Sequence, residues 1–164
     1  MQKNSSEWGL TTKQILTTWW PLAFSWLLMS AEQPALAAVV LRLPHGEINM
    51  AAFGGITFPL ALIIEAPIIM LLAASTALSK DWDSFQKMNR YMNLTSLALT
   101  ALHILVAFTP LYDFVAVVVL GSPAETIEPG RIGLMIFTPW TWAIAYRRFH
   151  QGMLIRFNRS YVIG

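Results

Sequence analysis

Four long apolar segments make up most of this chain, and short polar stretches separate them. The segments cover about residues 14–41, 50–78, 93–109 and 131–146, and the last of them is the shortest. A helix rises about 1.5 Å per residue, so about 20 apolar residues cross the hydrocarbon core of a bilayer. The pattern therefore predicts an all-α, polytopic membrane protein with about four transmembrane helices.

The stretches between the segments contain turn-forming and charged residues. Residues 43–47 include a proline and a glycine and predict a tight turn. Residues 79–92 predict a charged connector between the second and third helices. Residues 111–120 follow Pro110 and are apolar, and they form either a separate interfacial helix or a bent continuation of the third span.

The chain divides into a polar lead at residues 1–13, a four-helix transmembrane domain at 14–146 and a basic tail at 147–164. Of its 11 lysines and arginines, nine lie in the lead, the 79–92 connector and the tail, whereas Arg42 and Arg131 lie on the other side. Cytoplasmic loops carry an excess of lysine and arginine. Both termini are therefore predicted to be cytoplasmic, in the inner (plasma) membrane of a cell.

The overall composition agrees with this class of protein. Of all residues, 55% are hydrophobic and only 12% are charged, about half the charged fraction of soluble domains. The formal net charge of +2 is too small to favour nucleic acid as a partner, whereas membrane lipid is an expected one.

An acid lies near the middle of the first segment. With Trp20 and Arg42 as interface markers, Glu32 falls beside the midpoint. A charge at that depth costs about 2.5 kcal/mol or more unless it faces a cavity or a partner. In one interpretation Glu32, with Gln33, is a coupling or substrate-binding group. In the other it is a polar packing residue that bonds to Gln33, Ser30 or a neighbouring helix.

Two further polar residues lie near the middle of their segments. Glu65 is either a second functional acid or a group that satisfies backbone freed by Pro67. His103 is either a functional residue or a packed histidine whose polar atoms are satisfied. Trp140 and Trp142 would stack on an organic cation or would simply pack and anchor the helix.

Prolines and glycines mark expected irregularities in these helices. Helix breaks are predicted at Pro34, Pro67 and Pro139, since proline lacks a backbone donor and clashes with the preceding turn. Gly54 and Gly55, together with Ala51 and Ala52, predict a close approach of a neighbouring helix.

The sequence contains no nucleotide-binding loop, nucleophile elbow or zinc-binding motif. Glu32, Glu65 and His103 lie on three different segments without the spacing that makes metal ligands converge. We therefore predict that the chain is not an enzyme and binds neither a metal nor a cofactor.

Several short patches occur in a fixed order along the chain: Pro21-Leu22-Ala23, Glu32-Gln33 with Ala35-Leu36, Arg42-Leu43, residues 50–54, residues 120–125, residues 149–153 and residues 156–159. In this order they resemble the opening part of multidrug and toxic compound extrusion (MATE) transporters. The resemblance extends to the wider multidrug/oligosaccharidyl-lipid/polysaccharide exporter superfamily and is closest to its progressive-ankylosis-like branch.

This resemblance implies the first four helices of a twelve-helix fold, a partial MATE-like bundle. The implied function is export of small organic solutes by ion-coupled alternating access, with another membrane chain supplying the missing helices. The coupling aspartate of drug-exporting members aligns with Leu36, so Glu32, one turn earlier, is the candidate substitute. The alternative is a non-transporting membrane scaffold or assembly subunit of a larger complex, derived from such a transporter.

Overall fold

The computed structural model describes residues 12–157, 159 and 162, apart from the side chains of Gln14 and Thr18. The predicted lead at 1–13 and the end of the tail therefore lie largely outside the described residues. The described part is helical, which confirms the all-α prediction. Its helices are α1 (Thr12–Val40), α2 (Gly46–Ala52), a π-helical turn (Phe53–Thr57), α3 (Phe58–Ile69), α4 (Leu71–Leu78), α5 (Trp82–Phe108), α6 (Leu111–Asp113), a second π-helical turn (Phe114–Val119) and α7 (Ala124–Arg156).

Three helical segments of the described chain are long and apolar enough to cross a membrane. They are Ile15–Val40, Gly46–Leu78 and Trp82–Phe108, and we call Gly46–Leu78 the second span. The predicted fourth span at 131–146 lies within α7, which at 33 residues is about 50 Å long but is not among these three. Large apolar side chains such as Leu27 and Ile63 are about two-thirds exposed, as expected where lipid covers them.

Helix α7 is the centre of the bundle, which explains its lower hydropathy. It packs against the second span and against α5. A helix that is shielded by its neighbours does not need a lipid-compatible surface on every side. Its buried residues recur every three or four positions or at twice that spacing, and so form one stripe: Thr126, Gly130, Leu134, Thr141, Ala145, Phe149 and Gly152.

Contacts along this stripe fix the direction of each neighbour. The Thr57 hydroxyl donates to the Gly130 carbonyl at 3.0 Å, and the Thr76 hydroxyl lies 3.2 Å from the Gly152 carbonyl. The second span and α7 therefore run parallel. Phe85 near the start of α5 packs on Phe149 near the end of α7, so α5 is antiparallel to both.

The close helix contacts are not where the second segment predicted them. A Cβ atom added at Gly54 or Gly55 would meet nothing within 4 Å, so the prediction is wrong at these two glycines, whereas Ala52 of the same prediction is buried. A Cβ added at Gly130, Gly133 or Gly152 would lie within 2.6 Å of a side-chain oxygen on another helix. These oxygens belong to Tyr112, Thr57 and Ser75, respectively. The glycines that permit close packing are on α7, whose stripe faces the bundle.

The predicted connector at 79–92 is mostly helix, because α5 begins at Trp82. Asp81 caps the helix: its carboxylate accepts from the Ser84 backbone N–H at 2.8 Å, and the Ser84 hydroxyl accepts from the Asp81 N–H at 3.0 Å. This reciprocal capping box satisfies two donors that a helix start leaves unpaired. Only residues 79–81 separate the second span from α5.

Residues 111–119 form a separate short helix after a break at Thr109–Pro110, which decides between the two predicted alternatives. Side chains tie this helix to α7. The buried Tyr112 hydroxyl donates to the Ile127 carbonyl at 2.7 Å, and Arg131 forms an ion pair with Asp113. The Arg131 guanidinium also lies 4.9 Å from the centre of the Tyr112 ring.

The prolines that were predicted to break helices lie inside them. Pro34 is within α1, Pro67 within α3 and Pro139 within α7. A proline removes one donor from the ladder, and neighbouring groups in a packed bundle compensate for that loss. The second span is instead interrupted at Met70, between α3 and α4.

Candidate functional site

A buried polar layer lies between two hydrophobic clusters of the bundle. One cluster is formed by Ile56, Leu60, Ala61, Val106, Ala107, Tyr112, Ala116 and Leu134. The other is formed by Ile68, Leu71, Met88, Met92, Ala145 and Phe149. Glu65, His103 and Thr141 occupy the layer between them, with exposed fractions of 4%, 0% and 0%.

These three residues form a continuous hydrogen-bonded chain across three helices. Thr141 Oγ1 on α7 lies 3.3 Å from Glu65 Oε1 on α3. The same hydroxyl lies 3.0 Å from His103 Nδ1 on α5, and His103 Nε2 lies 2.9 Å from the Leu134 carbonyl oxygen. Two residues predicted from the sequence, Glu65 and His103, are thus brought together, and Thr141 links them.

The orientation of the histidine ring follows from its partners. A carbonyl oxygen only accepts, so His103 Nε2 carries a hydrogen and donates to Leu134. A backbone carbonyl has two lone pairs, and Leu134 can therefore accept from His103 as well as from its own helix. Both ring nitrogens of His103 have hydrogen-bond partners, as expected for a packed histidine. One of these partners, Thr141, also contacts Glu65.

Glu65 finds its partners on another helix and not beside Pro67. The Thr141 hydroxyl of α7 lies within hydrogen-bonding distance of its carboxyl group. Thr141 follows Pro139 by two residues, and Trp140, between them in sequence, lines the cavity beside Glu65.

A cavity of about 270 Å³ opens beside Glu65, between α1, α3 and α7. Glu32 and Gln33 of α1 line it together with Glu65, so all three predicted polar residues of the first two segments face one space. Glu32 is partly buried and Gln33 is exposed. Glu32 also lines a neighbouring groove with Pro139 and Trp140.

Two arginines from the predicted basic tail also line the cavity. Arg147 and Arg148 lie on α7, which continues through Arg156. Arg148 stacks on Trp26 of α1, with its guanidinium carbon 5.2 Å from the ring centre. Buried nitrogens of both arginines have no hydrogen-bond partner among the described residues. The cavity is therefore lined by acids, an amide, basic groups and tryptophans, together with apolar side chains such as Met29 and Phe58.

The sequence analysis also missed Thr141, which joins the two buried titratable side chains. A threonine in an apolar helix usually bonds to its own backbone, and this gave no reason to single it out. The sequence feature that could have identified Thr141 is its position in the stripe of small and apolar residues that faces the bundle from α7. Within the described residues, no group of three or more His, Cys, Asp or Glu side chains could hold a metal ion.

The chain was compared with known proteins in three ways. No protein-family model, no curated protein and no solved structure matches it. The resemblance to MATE transporters therefore depends on the sequence patches quoted above.

Proposed function

We propose that the chain is part of a secondary transporter that moves small organic solutes across a membrane in exchange for an ion. In this proposal Glu65 and Glu32 carry the coupling ion or contact the solute. The observation that carries it is Glu65 itself, a buried acid that faces a cavity on one side and a closed polar chain on the other. Intramembrane acids that face cavities typically mark ion or substrate pathways.

The architecture around Glu65 supports this proposal. Transporter sites typically lie near the midplane of the bilayer, on helices interrupted by proline or glycine. Glu65 lies two residues from Pro67, and its partner Thr141 lies two residues from Pro139. The polar layer lies between two hydrophobic clusters, as expected for a site at mid-depth.

The same geometry supports a partner chain. The apolar window of α1 is 0% buried, and Trp19, Trp20, Leu27 and Val39 are each more than half exposed. One wall of the cavity is thus a helix with few packed neighbours. A second membrane chain that packs on α1 would close the cavity and supply further helices.

Charge movement after a pH jump tests the coupling role without knowledge of the solute. The complex is extracted gently from its own membrane, reconstituted in lipid and adsorbed on a solid-supported membrane. Wild type should show a transient charge displacement after the jump, which Glu65→Gln removes. Glu47→Gln is the matched control, because Glu47 is an exposed acid at the far end of the same span. Equal displacement in wild type and Glu65→Gln would overturn the proposal.

The competing function is a scaffold or assembly subunit that no longer transports. The exposed face of α1 favours a partner under either function. Native mass spectrometry of the extracted complex separates the two. A partner with several further transmembrane helices supports the transporter, and an unrelated membrane assembly without pH-driven charge displacement supports the scaffold.

A further inference from the structure

We propose that Glu65 and His103 share one exchangeable proton, which passes between them through the Thr141 hydroxyl. This inference deepens the proposed function and rests on it, since it assigns the coupling ion at Glu65 as a proton. It also assigns His103, which does not line the cavity, as the second site for that proton.

The acceptors along the Glu65–Thr141–His103 hydrogen-bonded chain determine where its hydrogens lie. His103 Nε2 donates to the Leu134 carbonyl, so only Nδ1 can change its role. Thr141 has one hydroxyl hydrogen and lies within hydrogen-bonding distance of both His103 Nδ1 and Glu65 Oε1. One donor thus stands between two groups that are both acceptors when they carry no proton.

Two arrangements give each of Glu65, Thr141 and His103 a hydrogen-bond partner within this set. In the first, protonated Glu65 donates to Thr141, and Thr141 donates to neutral His103. In the second, protonated His103 donates to Thr141, and Thr141 donates to the Glu65 carboxylate. Both arrangements hold one proton on the pair, in addition to the hydrogen on Nε2.

Other proton counts leave a polar group without a partner among these three side chains. With no proton on the pair, two acceptors compete for the single hydroxyl hydrogen of Thr141. With two protons on the pair, Glu65 and His103 both donate to the Thr141 hydroxyl. The hydrogen of that hydroxyl then has no acceptor among the three side chains. An unsatisfied buried polar group costs about 1–3 kcal/mol in general, so the geometry favours a single shared proton.

The transfer step is balanced within the chain. The Glu65 O–H bond breaks as a new O–H bond forms at Thr141, and the original Thr141 O–H bond breaks as an N–H bond forms at His103 Nδ1. The products are the Glu65 carboxylate and a protonated His103. The charged groups that face Glu65 from other helices are Glu32 on α1 and Arg147 and Arg148 on α7. Transfer of the proton from Glu65 to His103 therefore leaves a negative charge on Glu65, which these three residues face across the cavity.

The test removes the Thr141 hydroxyl and retains the shape of the side chain. Thr141→Val replaces the hydroxyl with a methyl group, and Thr141→Ser is the control that keeps the hydroxyl. The complete complex is labelled with ¹⁵N-histidine in lipid bilayers for solid-state NMR. His103 is one of three histidines and is assigned from the signal that His103→Asn removes.

The expected NMR result is a shift of the His103 Nδ1 resonance in Thr141→Val and its return to the wild-type position in Thr141→Ser. In Glu65→Gln, the amide should donate to Thr141 as protonated Glu65 does and hold His103 neutral. The charge displacement after a pH jump should slow about 10²-fold in Thr141→Val, since a positioned acid or base typically contributes that much. Thr141→Ser should keep the wild-type rate.

The outcomes separate this inference from the proposed function. If Glu65→Gln removes the charge displacement but Thr141→Val leaves both the Nδ1 resonance and the rate unchanged, the shared proton is refuted and the coupling role of Glu65 stands. If Glu65→Gln leaves the displacement intact, the proposed function fails first. The unchanged signals of His45 and His150 in each variant confirm that the variant is folded.

Discussion

The contact between α4 and α7 at Gly152 gives a sharp test of the bundle that positions Thr141. A Cβ added at Gly152 would lie 1.9 Å from Ser75 Oγ, 2.5 Å from the Leu72 carbonyl oxygen and 3.0 Å from Thr76 Oγ1. The serine hydroxyl can rotate, but the carbonyl belongs to the backbone. The helices must therefore separate by about 0.9 Å to lengthen that 2.5 Å contact to the 3.4 Å of ordinary contact.

This geometry sets the expected cost of Gly152→Ala. Forcing an extra methyl group into a packed core costs about 1–3 kcal/mol, and loss of the Thr76 bond to the Gly152 carbonyl adds about 0.6 kcal/mol in a membrane. The change from glycine to alanine within a helix returns about 0.5–1 kcal/mol. The free energy of unfolding should fall by about 1–3 kcal/mol, or about 5- to 150-fold in the folded-to-unfolded ratio.

The assay is a reversible SDS titration in mixed lipid–detergent micelles, followed by far-UV circular dichroism. Gly54→Ala is the matched control, since a Cβ at Gly54 meets nothing within 4 Å, and this variant should be as stable as wild type or more so. A second variant, Ser75→Ala in the Gly152→Ala background, should recover part of the loss, because it removes the nearest clashing atom. Equal stability of Gly152→Ala and Gly54→Ala would refute the close contact.

Three further predictions concern other contacts. Tyr112→Phe should lower the free energy of unfolding by about 0.5–1.5 kcal/mol in the same titration, because the part-buried hydrogen bond from Tyr112 to the Ile127 carbonyl is lost. Exposed Tyr146→Phe should change it by less than about 0.5 kcal/mol, and equal effects would contradict the Tyr112 hydrogen bond. Thr57→Val should destabilise the bundle more than Thr57→Ser, which keeps the bond to Gly130, and identical melting temperatures would refute that bond. Hydrogen bonds from the Ser84 backbone and hydroxyl lower the pKa of Asp81. The ionised Asp81 therefore stabilises the fold above the ordinary carboxyl pKa, and this stabilisation is lost as the pH falls through the lowered pKa. Asp81→Ala should remove this acid-dependent loss of stability, and a pH profile of stability equal to that of wild type would contradict the prediction.

The sequence pattern was sufficient to predict helices and to single out the polar residues within them. Apolar runs of about 20 residues have few alternatives to a helix in lipid, and Glu32, Glu65 and His103 stood out because polar groups are rare there. The start of α5 was missed, since Asp81 and Ser84 form a capping box at the edge of charged residues that resemble a loop. The helix at 111–119 was left undecided because Pro110 allows either a kink or a break.

The link between Glu65 and His103 was beyond the reach of the sequence. Two residues at similar depth meet only if their helices face each other, and facing depends on the rotation of each helix about its axis. Here the rotation follows from contacts such as Ser75 with Gly152 and Thr57 with Gly130, which pair positions more than 70 residues apart. The cavity contacts of Arg147 and Arg148 were not predicted for a related reason: a basic run near a terminus gives no sign of which helix it faces, and α7 continues through it.

Infrared spectroscopy of the complete complex in lipid tests the central claim most directly, namely that Glu65 is a proton-carrying acid bonded to Thr141. The account predicts a protonated-carboxyl stretch that Glu65→Gln removes. In Thr141→Val, the band should move to higher frequency because the acid has lost its hydrogen-bond acceptor. An identical band in wild type, Glu65→Gln and Thr141→Val would contradict the account, since the proton would then reside on a different acid.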